Sequence, residues 1–175
     1  MTALAGATPA VRDAALTADE FRSVFRGHPA GVAVVALRDG GRPVGFTATS
    51  VISVSADPPL LAFSLATTSS SWPAVARART VAVSFLAADQ ADVSARFATS
   101  GIDRFADGGW SALGSGEPVI DGAAAWVRAR VVERTGVGSS HLVTLQATAH
   151  HVAPGAAPLV FHDRGYHRLG DATRV

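Results

Sequence analysis

The sequence predicts a mainly β protein: a closed barrel with Greek-key-like connections and a few short helices. Three observations carry that prediction. Short apolar or alternating runs recur from Gly31–Leu37 to Leu159–His162. Helical periodicity is confined to three short stretches. No internal repeat or shift in composition divides the 175 residues, which suffice for one domain with a real core.

Met1–Ala15 is Ala-rich and without period, and reads as a loose tail before a single domain over residues 16–175. A helix then opens at Thr17, with Glu20 at capping-box spacing and Leu16 as a staple. Phe21, Val24 and Phe25 share one face, and Pro29 ends the helix. Gly31–Leu37 is a strand, Arg38-Asp39-Gly40-Gly41 a hairpin turn and Arg42–Ser50 its return. Val51–Ala56 and Leu60–Leu65 continue the sheet around the Pro58-Pro59 corner. Ser71 precedes a short helix, Trp72–Arg77, which tolerates Pro73 in its first turn. Thr80–Leu86 is a strand, and Asp89–Ala98 a helix with Val93 and Phe97 facing inward. Thr99–Pro118 reads as one long Gly- and Ser-rich loop, a length often used for lids or interface arms. Ala124–Arg134 and His141–Val152 are long strands, and Leu159–His162 and Tyr166–Leu169 close the set.

Composition narrows the function. Apolar residues make up 48% and charged residues 17%, few for a small monomer. Part of the surface is therefore expected to be buried against another chain, most simply in a homodimer. A net charge of +1 gives no reason to expect nucleic acid or membrane as a partner. No apolar run reaches membrane-spanning length and no signal peptide is apparent, so the default location is cytoplasmic. Cys is absent, which removes thiolate metal sites and Cys nucleophiles. All 15 basic residues are Arg, so neither a Schiff-base lysine nor a P-loop lysine is available. Any phosphate must be held by Arg, hydroxyls or backbone N–H. No metal site is expected, because the adjacent His150 and His151 point to opposite faces of a strand.

The most informative stretch is Gly45–Leu61, GFTATSVISVSADPPLL. It sets Thr47, Thr49, Ser50, Ser53 and Ser55 in an alternating pattern. Hydroxyls and nearby backbone N–H groups on a pleated edge suit a phosphate and a planar hydrogen-bonding ring. An ordinary Ser/Thr-rich barrel strand fits the same pattern.

With these residues in view, the chain resembles the flavin reductase domain family, whose fold is an FMN-binding split β-barrel. The resemblance runs from about Phe21 to Leu169. Its landmarks, in order, are FRSVF, GVAVVAL, GFTATSVISVSADPPLLAFSL, SSSWPAV, VAVSFL, DVSARFA, DRFADGGW, EPVIDGAAAWV, His141 and PLVFHDRGYHRL. It implies an NAD(P)H:flavin oxidoreductase that uses FMN or FAD with NADH or NADPH. It also implies a flavin-dependent monooxygenase as the partner that receives reduced flavin.

Residue by residue, the resemblance places the backbone of Pro43, Val44, Gly45, Phe46 and Thr47 along the flavin ring edge. Gly45 would let a ring approach closely. Thr49 and Ser50 would meet the pyrimidine end or the ribityl chain, and Ser64, Leu65 and Ala66 the ring and chain. Ser70 and Ser71, at a helix start, would hold the phosphate. Arg96, followed by Phe97, would bring the one strong positive charge. Without the resemblance, Ser70 and Ser71 read as simple caps and Arg96 as a surface charge. His141 would lie near the nicotinamide and aid binding or hydride transfer, with Arg164 and Tyr166 as weaker nicotinamide contacts. The family usually has Gly-Asp-His where this chain has Ser139-Ser140-His141, so the orienting acid is missing. It also often has Asn at Ser84 and Gly at Gln146. Two other readings stand beside the reductase: a non-catalytic flavin- or haem-binding dimer, and a pyridoxamine-phosphate-oxidase-like oxidase.

Overall fold

The computed structural model describes residues 14–170; the tail expected over residues 1–15 lies outside them except for its last two positions. Helix α1 spans Ala18–Arg26. Its capping box is present: the Thr17 hydroxyl accepts from the Glu20 N–H at 3.3 Å, and the Glu20 carboxylate accepts from the Thr17 N–H at 2.8 Å. The helix stops at Gly27, two residues before Pro29. Its apolar face differs from a core-facing one. Phe21, Val24 and Phe25 are all more than half exposed, and no residue of the helix is buried.

Twelve strands and two further helices follow. They are β1 (Ala30–Gly31), β2 (Ala33–Asp39), β3 (Arg42–Ala48), β4 (Ile52–Ser55), β5 (Leu60–Ala66), α2 (Trp72–Arg77), β6 (Thr80–Phe85) and α3 (Ala91–Ala98). Then come β7 (Trp110–Ala112), β8 (Pro118–Ile120), β9 (Ala125–Val137), β10 (Ser140–Val152), β11 (Leu159–His162) and β12 (Gly165–Arg168).

Seven strands form one antiparallel sheet in the order β3-β2-β6-β9-β10-β5-β4. Its two edge strands, β3 and β4, are joined by only Thr49, Ser50 and Val51. So short a link spans only about 10 Å per three residues, so the sheet must curl until its edges meet. The Ser50 hydroxyl bridges the seam, donating to the Ser64 carbonyl at 3.1 Å and accepting from the Ser64 N–H at 3.0 Å. Inside the curl lie Val35, Leu37, Phe46, Phe63, Val81, Val83, Val143 and Leu145. A second cluster sits outside β2, where Val34, Ala36, Phe97, Phe105, Ile120 and Leu159 meet. Strand β2 is thus buried on both faces, which is why its sequence runs apolar without alternating.

The β2–β3 turn has positive φ at Gly40 (56°) and Gly41 (82°), the conformation a two-residue hairpin requires and glycine adopts freely. The segment expected as a single loop, Thr99–Pro118, instead contains β7 and the start of β8, paired as a hairpin. Strands of three residues are too short to show a period, and the Gly-rich stretch between them hides the pairing. Ser84 fixes this hairpin to the barrel: its buried hydroxyl accepts from the Ile120 N–H at 3.1 Å.

Candidate cofactor cleft

Five of the expected site residues meet in one cleft of about 180 Å³: Pro43, Val44 and Gly45 on one wall, Ser70 and Ser71 on another. The third wall is the Gly101–Phe105 segment, and it brings a cation absent from the expected set, Arg104. Arg104 is half-buried. Its Nε donates to the Thr99 carbonyl at 2.8 Å, and its Nη1 to the Gly45 carbonyl at 2.6 Å and the Ser71 hydroxyl at 3.3 Å. Among the described residues no carboxylate pairs with it. Its neighbour Asp103 accepts from the Phe105 N–H at 3.0 Å. Burial lowers the pKa of Arg104 from its ordinary value, yet a guanidinium stays charged at neutral pH. The result is a fixed positive charge whose partners are neutral.

Ser71 is buried and does not cap α2 with its side chain. Its N–H donates to the Ser69 hydroxyl at 3.3 Å, so the cleft's charge comes from Arg104 rather than from a helix of only six residues. Arg96 does not line this cleft. Its guanidinium lies 3.7 Å from Asp107, donates to the Gly108 carbonyl at 3.3 Å and leaves a buried Nε without a partner. The bare Cα of Gly45 is also spoken for. A Cβ there would meet the Phe105 ring at 3.0 Å and the Phe97 ring at 3.1 Å. The close approach expected of a ligand ring is made on that side by two core rings, 4.9 Å apart. Phe46 points into the barrel against Phe63, 5.7 Å between centroids, so only its backbone is available to a ligand.

A second group of expected residues gathers where β5 and β10 run side by side. His141 lies opposite Leu65, Ser140 opposite Ala66 and Leu142 opposite Ser64. The Ser64 backbone is held by Ser50, as described. The half-buried His141 ring stacks on the indole of Trp72, with centroids 3.7 Å apart and planes 13° from parallel. Its Nδ1 is buried and has no hydrogen-bond partner among the described residues. Thr49 is exposed beside this group.

The remaining residues lie further along. Thr47 donates its hydroxyl to the Ser94 carbonyl at 2.7 Å, and Tyr166 donates to the Ser94 hydroxyl at 2.9 Å. Helix α3 therefore ties β3 to β12. Arg164 sits in the β11–β12 turn at φ 63° and lines a separate cleft with Phe25, Arg26 and His28. Gln146 accepts from Arg130 on the neighbouring strand. Among the described residues no cluster of His, Asp or Glu is placed to hold a metal, and no helix is long and apolar enough to cross a membrane.

A rolled antiparallel sheet with a small cleft lined by two serines and a half-buried arginine defines a β-barrel with a cationic surface site. The family is specific: residues 25–170 match the flavin reductase like domain, and the chain belongs to that family. It is 42% identical over 158 residues to an NADH:FMN oxidoreductase of Rhodococcus erythropolis, covering 87% of this chain and 82% of that one. It is 37% identical over 148 residues to the reductase component of a flavin-dependent trigonelline monooxygenase of Acinetobacter baylyi, covering 84% of this chain and 47% of that one. Among solved structures, a flavin reductase domain protein of an Arthrobacter species superposes with a TM-score of 0.83 at 33% identity, covering 87% of this chain and 95% of that one. An NADH:FAD oxidoreductase of Streptomyces globisporus, solved with NAD and FAD fragments, superposes at 0.84 with 26% identity, covering 89% and 94%.

Proposed function

We propose that the Arg104 cleft receives the phosphate of a flavin nucleotide, in a homodimer that releases its flavin once reduced. The chain is an NAD(P)H:flavin oxidoreductase that supplies reduced flavin to a monooxygenase. The single observation that supports this use of the cleft is a half-buried guanidinium answered only by neutral groups. A dianionic phosphate matches that charge, and charge-assisted hydrogen bonds are the strong ones.

The cleft, about 180 Å³, is smaller than a whole flavin nucleotide needs; small-molecule sites usually run from about 300 to 1,000 Å³. The phosphate end belongs in it, with Arg104, Ser70 and Ser71 as partners. The ring and ribityl chain belong on the surface of Thr47–Ser50 and Ser64–Ala66, where the exposed Thr49 and the half-buried Ser50 offer hydroxyls. Bound flavin supplies the redox chemistry, accepting a hydride from the reduced nicotinamide. The protein's own work is to hold and orient. Arg104 and Ser71 bind the phosphate end, Ser50 keeps Ser64 in register, and His141 presents its ring to the nicotinamide. A holding site with one Arg and hydroxyls grips moderately, which suits flavin that leaves after each turnover. NADH and FMN are the expected pair, as in the named Rhodococcus relative.

The dimer rests on two grooves, of about 360 and 420 Å³, which share Pro59, Val127 and Ala147. Exposed Ile52, Val54 and Val152 extend the apolar surface. Covering it with a second copy accounts for the low charge content. Light scattering should give a dimer for the native chain and a monomer for Val152→Asp combined with Ile52→Asp. A native monomer would remove the dimer from the account.

The reaction is tested by anaerobic absorbance of protein at catalytic concentration with NADH and excess FMN. Complete bleaching of the flavin band over many turnovers is expected. Bleaching of only one flavin per protein would mean that flavin is retained, and no bleaching would overturn the activity.

A further inference from the structure

We propose that Trp72 is a positioning residue that sets the orientation of the His141 ring. The proposal rests on the reading of His141 as the group that meets the nicotinamide.

A histidine ring that works at a site is ordinarily fixed by a hydrogen bond at its second nitrogen. Here that device is missing: Nδ1 is buried and has no partner among the described residues. Ser140, the preceding residue, pairs through its backbone with Ala66 and Val137. What the ring does touch is the Trp72 indole, face to face at 3.7 Å and 13°. Rotating the imidazole about its Cβ–Cγ bond would break that stack, so the indole selects the ring plane.

Trp72 is itself well held. It is the first residue of α2, its N–H donates to the Ser69 carbonyl at 3.0 Å, and Pro73 restricts the backbone that follows. Its side chain packs against the barrel core. The same helix start contributes Ser71 to the Arg104 cleft. One rigid turn, Ser69–Trp72, therefore places both the phosphate-facing hydroxyl and the surface against which His141 lies. The two halves of the site are registered to each other through it.

The test compares Trp72→Leu, which removes the stack, with Trp72→Phe, which keeps an aromatic face. Two readouts separate orientation from folding. The first is the set of NOE contacts from the His141 ring protons to the flanking β5 and β10 residues by NMR. One set should be present in the native protein and kept with Phe, and it should change or average over several ring orientations with Leu. The second is steady-state kinetics. Trp72→Leu should lower kcat/KM for NADH on the order of tenfold to a hundredfold, as expected for a misplaced reacting group, with the KM for FMN unchanged. Trp72→Phe should recover most of the loss.

Native kinetics in Trp72→Leu, with the native His141 ring contacts kept, would overturn the proposal. So would equal losses in Phe and Leu variants that both melt like the native protein. His141→Ala is measured alongside. If it is silent, the reading of His141 fails and the kinetic part of the proposal falls with it, whereas the NOE contacts still decide whether Trp72 orients the ring.

Discussion

Between the β2–β3 turn and the end of α2, a cleft of about 310 Å³ is lined by Arg38, Arg77 and Arg79; beside the start of β3, a smaller cleft holds Arg104. In the larger cleft the protein answers its own charge. Arg77 pairs with Asp39 at 2.7 Å, and Glu117, on the same wall, pairs with Arg128 at 3.0 Å. Arg38, held by the Gly116 and Gly41 carbonyls at 2.8 and 2.7 Å, and Arg79 are both exposed to water, where screening weakens their charge. In the smaller cleft Arg104 has carbonyl and hydroxyl partners and, among the described residues, no carboxylate. The number of arginines is therefore a poor guide to an anion site. What matters is how much of the charge the protein has left unmatched in a partly desolvated place.

The largest effect should come from breaking the matched cleft. Burial alone would raise the Glu117 pKa, but hydrogen bonds from Ser115, Thr80 and Arg128 outweigh it and hold it at about 2, below the ordinary 4.5. A depressed carboxylate pKa adds stability above the unfolded value and loses it as pH falls through the folded one. Glu117→Gln should cost about 3 kcal/mol at neutral pH, as expected for a buried pair losing one partner. Measured by urea unfolding, the gap should begin to close below pH 4.5 and be largely gone near pH 2. Flavin kinetics should not change. A pH-independent gap would mean that packing, not charge, is at work.

Next in size is the unmatched cleft. Arg104→Met should raise the KM for FMN about tenfold to a hundredfold, the range for one hydrogen-bonded charge, with little change in kcat. Arg38→Met is the control and should stay within about twofold, since its charge is exposed to water. Equal effects from the two variants would dissolve the distinction between the clefts.

Arg96→Met sharpens the contrast. Its guanidinium already faces Asp107 and the Gly108 carbonyl, so the KM for FMN should move by less than about threefold. A larger change would return the phosphate charge to Arg96. Smallest of all is Arg77→Ala, which removes an exposed pair with Asp39. It should shift the unfolding free energy by less than about 1 kcal/mol and leave flavin kinetics alone.

The same contrast shows what the sequence carries well. The hairpin at Gly40-Gly41, the capping box at Thr17 and the long strands are local signals, and each appears at its expected place within two or three residues. The Pro43–Gly45 wall came from the resemblance rather than from a local signal, and Ser50, expected to meet the ligand, is bonded to the Ser64 backbone. Arg104 was not legible. The chain has two Arg-Phe pairs, Arg96-Phe97 and Arg104-Phe105, and the resemblance points to the first. Both phenylalanines reach the second core cluster beside Gly45, and only the coil of the Gly101–Phe105 segment decides which arginine enters the cleft. The second Arg-Phe pair was the available signal. The Trp72–His141 stack was hidden too, because it joins residues 69 positions apart that meet only when β10 lies against β5.

The measurement that bears most directly on the central claim is the affinity of FMN against riboflavin, which lacks the phosphate, for the native protein and for Arg104→Met. Fluorescence titration under identical salt gives all four values. The account predicts that the native protein prefers FMN by about tenfold or more, as one charge-assisted contact implies. It predicts that Arg104→Met binds the two alike, with riboflavin affinity unchanged. If Arg104→Met keeps the full preference for FMN, or weakens both ligands equally, then Arg104 braces the Gly45 and Ser71 walls and another group carries the phosphate.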